Sequence, residues 1–128
     1  MIYADIVIAL AAIQLLVFGM QVGAARGRYG VKAPAISGNE VFERYFRVQQ
    51  NTVETLVIFL PGIYLFSRYV NPVWAAGLGA VYLVGRQLYS FSYVKNPASR
   101  GPGFGMSILP IMVMLVGGLG AAIWHQIH

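Results

Sequence analysis

Apolar residues dominate four long stretches of this chain, and the polar positions inside them follow two different patterns. The first stretch, "IVIALAAIQLLVFGMQVGAA" (residues 6–25), and the last, "GPGFGMSILPIMVMLVGGLGAAIW" (residues 101–124), contain no formal charge. Each supplies the ~20 apolar residues that an α-helix needs to cross a ~30 Å hydrocarbon layer. The two stretches between them, from about Phe42 to Ser67 and from about Pro72 to Val94, carry polar residues at regular intervals. Spacings of three and four return a helix to the same face, so Arg44, Arg47, Asn51 and Glu54 form one stripe. On the following stretch Tyr82, Arg86, Tyr89 and Tyr93 form a second, narrower one. The pattern predicts an all-α integral membrane four-helix bundle, with helices at about residues 4–26, 40–67, 72–95 and 102–125. It forms a single domain over residues 1–128, with little outside the bilayer.

Connections and charge add an orientation. The long first connection, "RGRYGVKAPAISGNE", is rich in Gly, Pro and small residues; "NP" at Asn71 marks a short second turn and "KNPASRGPGFG" the third. Pro61 and Pro110 fall inside helices and are expected to kink them. The chain holds nine Lys and Arg against four Asp and Glu. Arg26, Arg28, Lys32, Arg44 and Arg47 surround the first connection, Lys95 and Arg100 the third, and Arg68 alone lies near the second. Loops one and three are therefore expected at the cytoplasmic face and both termini on the outer side. Tyr3, Tyr69, Trp74 and Trp124 fall at the outer helix ends, where amphipathic rings prefer to sit. This topology accounts for the basic balance without a nucleic-acid partner, although a basic face also concentrates anionic ligands. "MIYAD" has an acid where a secretory signal needs basic residues, so helix one is expected to stay attached.

Other chemistry is sparse. There is no cysteine, so any reacting thiol must be brought in. His125 and His128 at the terminus do not suggest a metal site. "GPGFG" follows no strand and reads as a flexible hinge rather than a phosphate loop. Glycines such as Gly19, Gly23, Gly77, Gly117 and Gly120 read as close-packing positions.

The polar stripes are costly where they lie. At 1.5 Å per residue, Glu54 and Arg86 sit roughly 12 to 15 Å below the cytoplasmic boundary, where a charge costs ~2.5 to 3.5 kcal/mol by insertion scales. A Glu54–Arg86 ion pair that ties two helices together is one solution. One glutamate cannot neutralise both Arg47 and Arg86, however, and the tyrosines add hydroxyls and ring faces beyond what a pair requires. The surplus predicts a bound anion. A ligand with carboxylates and an ammonium suits Arg47, Asn51 and Glu54.

The strings "FERYFRVQQNTVE" (residues 42–54) and "VYLVGRQLYSFSY" (residues 81–93), with Arg100 seven residues on, resemble the MAPEG superfamily, the membrane-associated proteins of eicosanoid and glutathione metabolism. The likeness covers nearly the whole chain and is nearest the branch of microsomal glutathione transferases and leukotriene synthases, in a short form that looks bacterial. The resemblance implies a homotrimer in the inner membrane, with glutathione between subunits near the cytoplasmic side. It assigns the gamma-glutamyl end to Arg47, Asn51 and Glu54, and the lining of the tripeptide to Tyr89 and Tyr93. It assigns contacts from the neighbouring subunit to Arg26 and Gln49, and stabilisation of the thiolate to Arg100. Arg86, from its stripe, is counted with the glutathione-binding residues, and Tyr93 is a second catalytic candidate. In the leukotriene synthases a tyrosine follows the motif glutamate; here Thr55 stands there, which argues against specialised eicosanoid synthesis.

These readings predict a glutathione transferase acting on lipophilic electrophiles from the membrane lipid, with peroxidase activity towards lipid hydroperoxides as an extension. Glutathione is the co-substrate, and no metal is involved. Two alternatives are a non-catalytic lipid-binding protein of the same superfamily and a small proton-coupled multidrug transporter. Arg47 and Arg86 beside the acid count against the transporter.

Overall fold

A computed structural model describes residues 2–128; Met1, which the single-domain reading includes, lies outside the described residues. Four long helices follow one another: α1 (Ile2–Tyr29), α2 (Glu40–Tyr69), α3 (Pro72–Lys95) and α4 (Gly101–Ile127), with a 3₁₀ turn at Pro97–Ser99 before the last.

Each connection is written in local chemistry. Gly30, at φ +69°, ends α1 in the left-handed conformation, and the Val31 N–H closes the end by donating to the Arg26 carbonyl at 3.1 Å. Asn39 caps α2 by accepting from the Phe42 N–H at 3.0 Å. The "NP" signal does two jobs: Asn71 Oδ1 accepts from the Val73 and Trp74 N–H groups, and Pro72 takes the first helical position, where no N–H is needed. Asn96 repeats the device ahead of Pro97, accepting from the Ala98 N–H. Both α2 and α4 run on through their internal prolines, Pro61 and Pro110.

The helices alternate in direction. Arg44, near the start of α2, donates to the Val94 carbonyl at the end of α3 at 3.1 Å, so the first and third connections share one end of the bundle. At the other end the Tyr69 and His125 rings lie 5.9 Å apart. Arg26, Arg28, Lys32, Arg44, Arg47, Lys95 and Arg100 thus gather at a single end.

In the half away from those basic residues, Phe59, Ile63, Tyr82, Ile111 and Met114 pack with Val7 and Ala11 into the largest core cluster. Glycines set the approach of the helices where a side chain has no room. A Cβ on Gly85 would meet the Met106 and Ser107 backbone at 2.7–2.8 Å, and one on Gly103 would meet the Tyr89 backbone at 2.5 Å. α3 and α4 are therefore in backbone contact on either side of Arg86.

α1 and the stretch Pro97–Ile127 are long and apolar enough to cross a membrane, with 18-residue windows of mean hydropathy 2.2. Only 22% and 28% of those windows is buried within the bundle, so these are not the core helices of a water-soluble protein. Leu16, Met20, Leu109 and Val116 are among the large apolar side chains that face outwards. α2 and α3 are also long, but the polar stripes keep them below that level of hydropathy among the described residues.

Candidate functional site

At the basic end, a cleft of ≈ 470 Å³ opens between α2, α3 and the start of α4, lined by Arg47, Gln50, Asn51, Glu54, Tyr89, Tyr93, Arg100 and Phe104. Helical spacing explains the α2 wall, since Arg47, Gln50, Asn51 and Glu54 are separated by three, one and three residues. On α3, Tyr89 and Tyr93 stack with ring centroids 5.5 Å apart, and Phe104 of α4 leans against Tyr89 at 6.3 Å. Phe104 is placed there by the Gly103 contact with the Tyr89 backbone.

The two stripes divide on folding. Of the tyrosine stripe, Tyr89 and Tyr93 face the cleft, but Tyr82 is wholly buried, stacked on Phe59 at 4.1 Å and hydrogen-bonded to the Thr55 hydroxyl at 3.0 Å. Thr55 also donates to the Thr52 carbonyl, so the residue that stands in place of a tyrosine turns into the core rather than towards the cleft. Of the α2 stripe, Arg44 leaves the cleft to bind Glu40 and the end of α3.

The Glu54–Arg86 ion pair does not form. Among the described residues the single ion pair is Arg44–Glu40, and Glu54 is exposed on the cleft wall without a basic partner. Arg86 is committed elsewhere: its Nε donates to Ser107 Oγ at 2.8 Å, and Nη1 donates to Asn51 Oδ1 at 2.7 Å and Thr52 Oγ1 at 3.3 Å. It is fully buried, with its guanidinium 4.4 Å from the Tyr89 ring centroid. Arg86 therefore stands behind the residues that line the cleft instead of among them.

Arg26 and Gln49 also lie outside this cleft. Arg26 donates to the Ala35 carbonyl at 2.6 Å and covers the Phe42 ring at 4.8 Å. Gln49 lines a separate groove against α1 with Ala12, Leu15, Leu16, Gly19 and Met20. Sequence reasoning missed Gln50 and Phe104. Gln50 was visible as a residue three beyond Arg47, whereas Phe104 depends on the packing of α4 against α3.

No cluster of His, Asp and Glu able to hold a metal occurs among the described residues. The cleft instead offers guanidinium donors, an amide, one free carboxylate, two phenols and apolar ring faces. That set is chemically suited to a small zwitterion or anion, with room for an apolar group beside it.

Comparison with known proteins agrees with the two signature strings. The chain is 45% identical over 125 residues to an uncharacterized protein of Synechocystis sp., covering 98% of this chain and 91% of that one. It is 42% identical over 114 residues to human microsomal glutathione S-transferase 2, covering 88% and 78%. The bovine protein of the same name is 41% identical over 112 residues, covering 88% and 75%. The model of the MAPEG family matches residues 5–120, from the first turn of α1 through most of α4. A match that spans all four helices and takes in the whole cleft leaves one assignment: the chain belongs to the MAPEG family.

Proposed function

We propose that this protein is a membrane-embedded glutathione transferase that joins the glutathione thiolate to lipophilic electrophiles. The observation that carries the reading is the convergence of Arg47, Asn51 and Glu54 from α2, Tyr89 and Tyr93 from α3 and Arg100 from the residue before α4 on one cleft. Similarity to proteins named microsomal glutathione S-transferase 2 supports it.

Charge favours this ligand. Arg47, Arg86 and Arg100 contribute three positive charges in or directly behind the cleft, and Glu54 contributes one negative, which leaves two positive. Glutathione with an ionised thiol carries two carboxylates, a thiolate and an ammonium, a net of two negative. Arg47 and Asn51 suit the carboxylate of the gamma-glutamyl end and Glu54 its ammonium, with charge-assisted hydrogen bonds in each case. Tyr89 and Tyr93 lie along the tripeptide.

Chemistry is attack by sulfur. A cysteine thiol with a reference pKa near 8.5 is only about a few per cent ionised at neutral pH, and a cation beside it raises that fraction. Arg100 is assigned that task, with the Tyr93 hydroxyl as a second donor. The thiolate forms a carbon–sulfur bond while the electrophile's leaving group departs with its electron pair. With a lipid hydroperoxide, two glutathione molecules would instead yield the disulfide, an alcohol and water. Outward apolar faces on α1 and α4 fit supply of the second substrate from lipid.

The same reading places the protein in an inner membrane, with the cleft towards the cytoplasm. It also calls for three copies of the chain. Arg47 and Glu54 are exposed in a single chain, a costly state at membrane depth that a neighbouring copy would relieve. Arg26 and Gln49 lie outside their own chain's cleft and on this reading serve an adjacent one, Arg26 by leaving the Ala35 carbonyl. Purified protein assayed with glutathione against aryl halides and lipid hydroperoxides tests the activity, and mass measurement in mild detergent tests the assembly. No glutathione-dependent turnover would overturn the first, and a fully active monomer the second.

A further inference from the structure

Arg86 is a cation with no exposed surface and, among the described residues, no carboxylate partner, and every acceptor it touches is a neutral oxygen. Two of those oxygens are free to accept because their protons are used elsewhere. Thr52 Oγ1 donates to the Val48 carbonyl at 2.7 Å, and Ser107 Oγ donates to the Gly103 carbonyl at 2.8 Å. The third acceptor is the Asn51 side chain, itself part of the cleft wall.

We infer that Arg86 is a positioning residue that fixes the side-chain amide of Asn51, so that the cleft is offered two N–H donors rather than a carbonyl oxygen. An arginine has only donors, so the atom of Asn51 that it touches must be Oδ1, whichever way the amide is otherwise drawn. The NH₂ group occupies the opposite edge of the same planar amide. No protein acceptor among the described residues takes it, and it is not a buried orphan, which leaves it to the cleft. A free asparagine side chain can present either edge to a ligand. One held at 2.7 Å by a buried guanidinium, itself wedged between α2 and α4, cannot turn over without leaving that cation with fewer acceptors than it already has. One of its nitrogens, Nη2, has none. Arg86 thereby makes the cleft selective for an oxygen acceptor, a carboxylate or carbonyl, at Asn51. It acts through Asn51 rather than by touching the ligand.

The inference rests on the glutathione reading for its ligand, but not for its contact, and the experiment separates the two. Asn51→Asp keeps an acceptor for Arg86, supplies the missing counterion and removes both donors from the cleft. Its melting temperature is expected to equal or exceed that of the wild type, whereas Asn51→Leu, which takes from Arg86 the shortest of its three hydrogen bonds, melts several degrees lower. Glutathione binding to Asn51→Asp is expected to weaken by about tenfold or more. In a binding cycle, Arg86→Gln is expected to weaken glutathione about tenfold in the wild-type background but less than about twofold in Asn51→Ala, because the two residues act as a unit. Unchanged affinity in Asn51→Asp, a melting temperature as low as that of Asn51→Leu, or equal effects of Arg86→Gln in both backgrounds would each overturn the inference. Should the wild type fail to bind glutathione at all, the functional reading falls, and the two melting temperatures still decide the Arg86–Asn51 contact.

Discussion

In the half of the bundle away from the basic end, Phe59 stacks on Tyr82, the Tyr82 hydroxyl meets Thr55, and Gly79 brings α3 against Val7 and Ile63 so closely that a Cβ would collide with them. In the half that holds the cleft, Arg47 and Glu54 project without partners among the described residues, and Arg86 is buried with fewer acceptors than it has donors. Both halves use the same helices, α2, α3 and α4. The contrast lies in what each is complete without. Between membrane helices, association rests on close packing and internal hydrogen bonds rather than on a hydrophobic drive, and the distal half meets that requirement alone. On the proposed reading the cleft half is completed by a ligand and a neighbouring chain, and of its polar groups Asn51 is already held in position, by Arg86.

The largest expected departure from this division comes from Arg100, which is exposed at the cleft mouth. Arg100→Ala is expected to lower turnover by ~10 to 1000-fold and leave glutathione affinity nearly unchanged, because the contact strengthens only as negative charge gathers on sulfur. Ultraviolet difference spectra titrated with pH check this: the thiolate band should appear at lower pH in the wild type than in the variant. An identical thiol pKa in both would remove Arg100 from the chemistry and bring Tyr93 forward.

Glu54→Gln sharpens the same contrast from the binding side. With no salt bridge to lose in the free protein, it should fold and assemble normally, while glutathione affinity falls by ~1.5 to 3 kcal/mol, the range for a hydrogen bond to a charged group. Calorimetric titration beside a melting curve reads both, and a large loss of melting temperature would assign the carboxylate a structural role instead.

The smallest effect belongs to the distal half. Tyr82→Phe removes one buried hydrogen bond and retains the stack on Phe59, so stability should fall by ~0.5 to 1.5 kcal/mol with turnover and glutathione affinity unchanged. A change in either kinetic quantity would show that the halves communicate.

Much of this was legible in the sequence because periodicity reports faces. The four helices, the Asn–Pro turn and the clustering of Arg47, Asn51 and Glu54 follow from spacing alone. Periodicity does not report partners, so it could not separate Tyr82 from Tyr89 or Arg44 from Arg47, which share stripes and end in different surroundings. Nor could it foresee that Arg86 would take Thr52 and Ser107 in preference to Glu54. Hydroxyl residues inside apolar helices read as filler until a second helix brings a donor to them. "GPGFG" shows the same limit: its place at the opening of the last helix was legible, but the flexibility its glycines suggest gives way to close packing, with Gly103 pressed against the α3 backbone.

That contact has a consequence for the length of the third connection. α3 is held at its end by Arg44 on the Val94 carbonyl, and α4 is held near its start by Gly103 on Tyr89, so the chain between these two anchors works as a ruler. Ser99 stiffens it by donating to the Ser92 and Asn96 carbonyls. The height at which Arg100 stands over the cleft is then set by the number of residues spanned rather than by any bond of its own side chain. Sequence can drift along this connection, but a residue gained or lost would shift the arginine while every other wall of the cleft stayed in place.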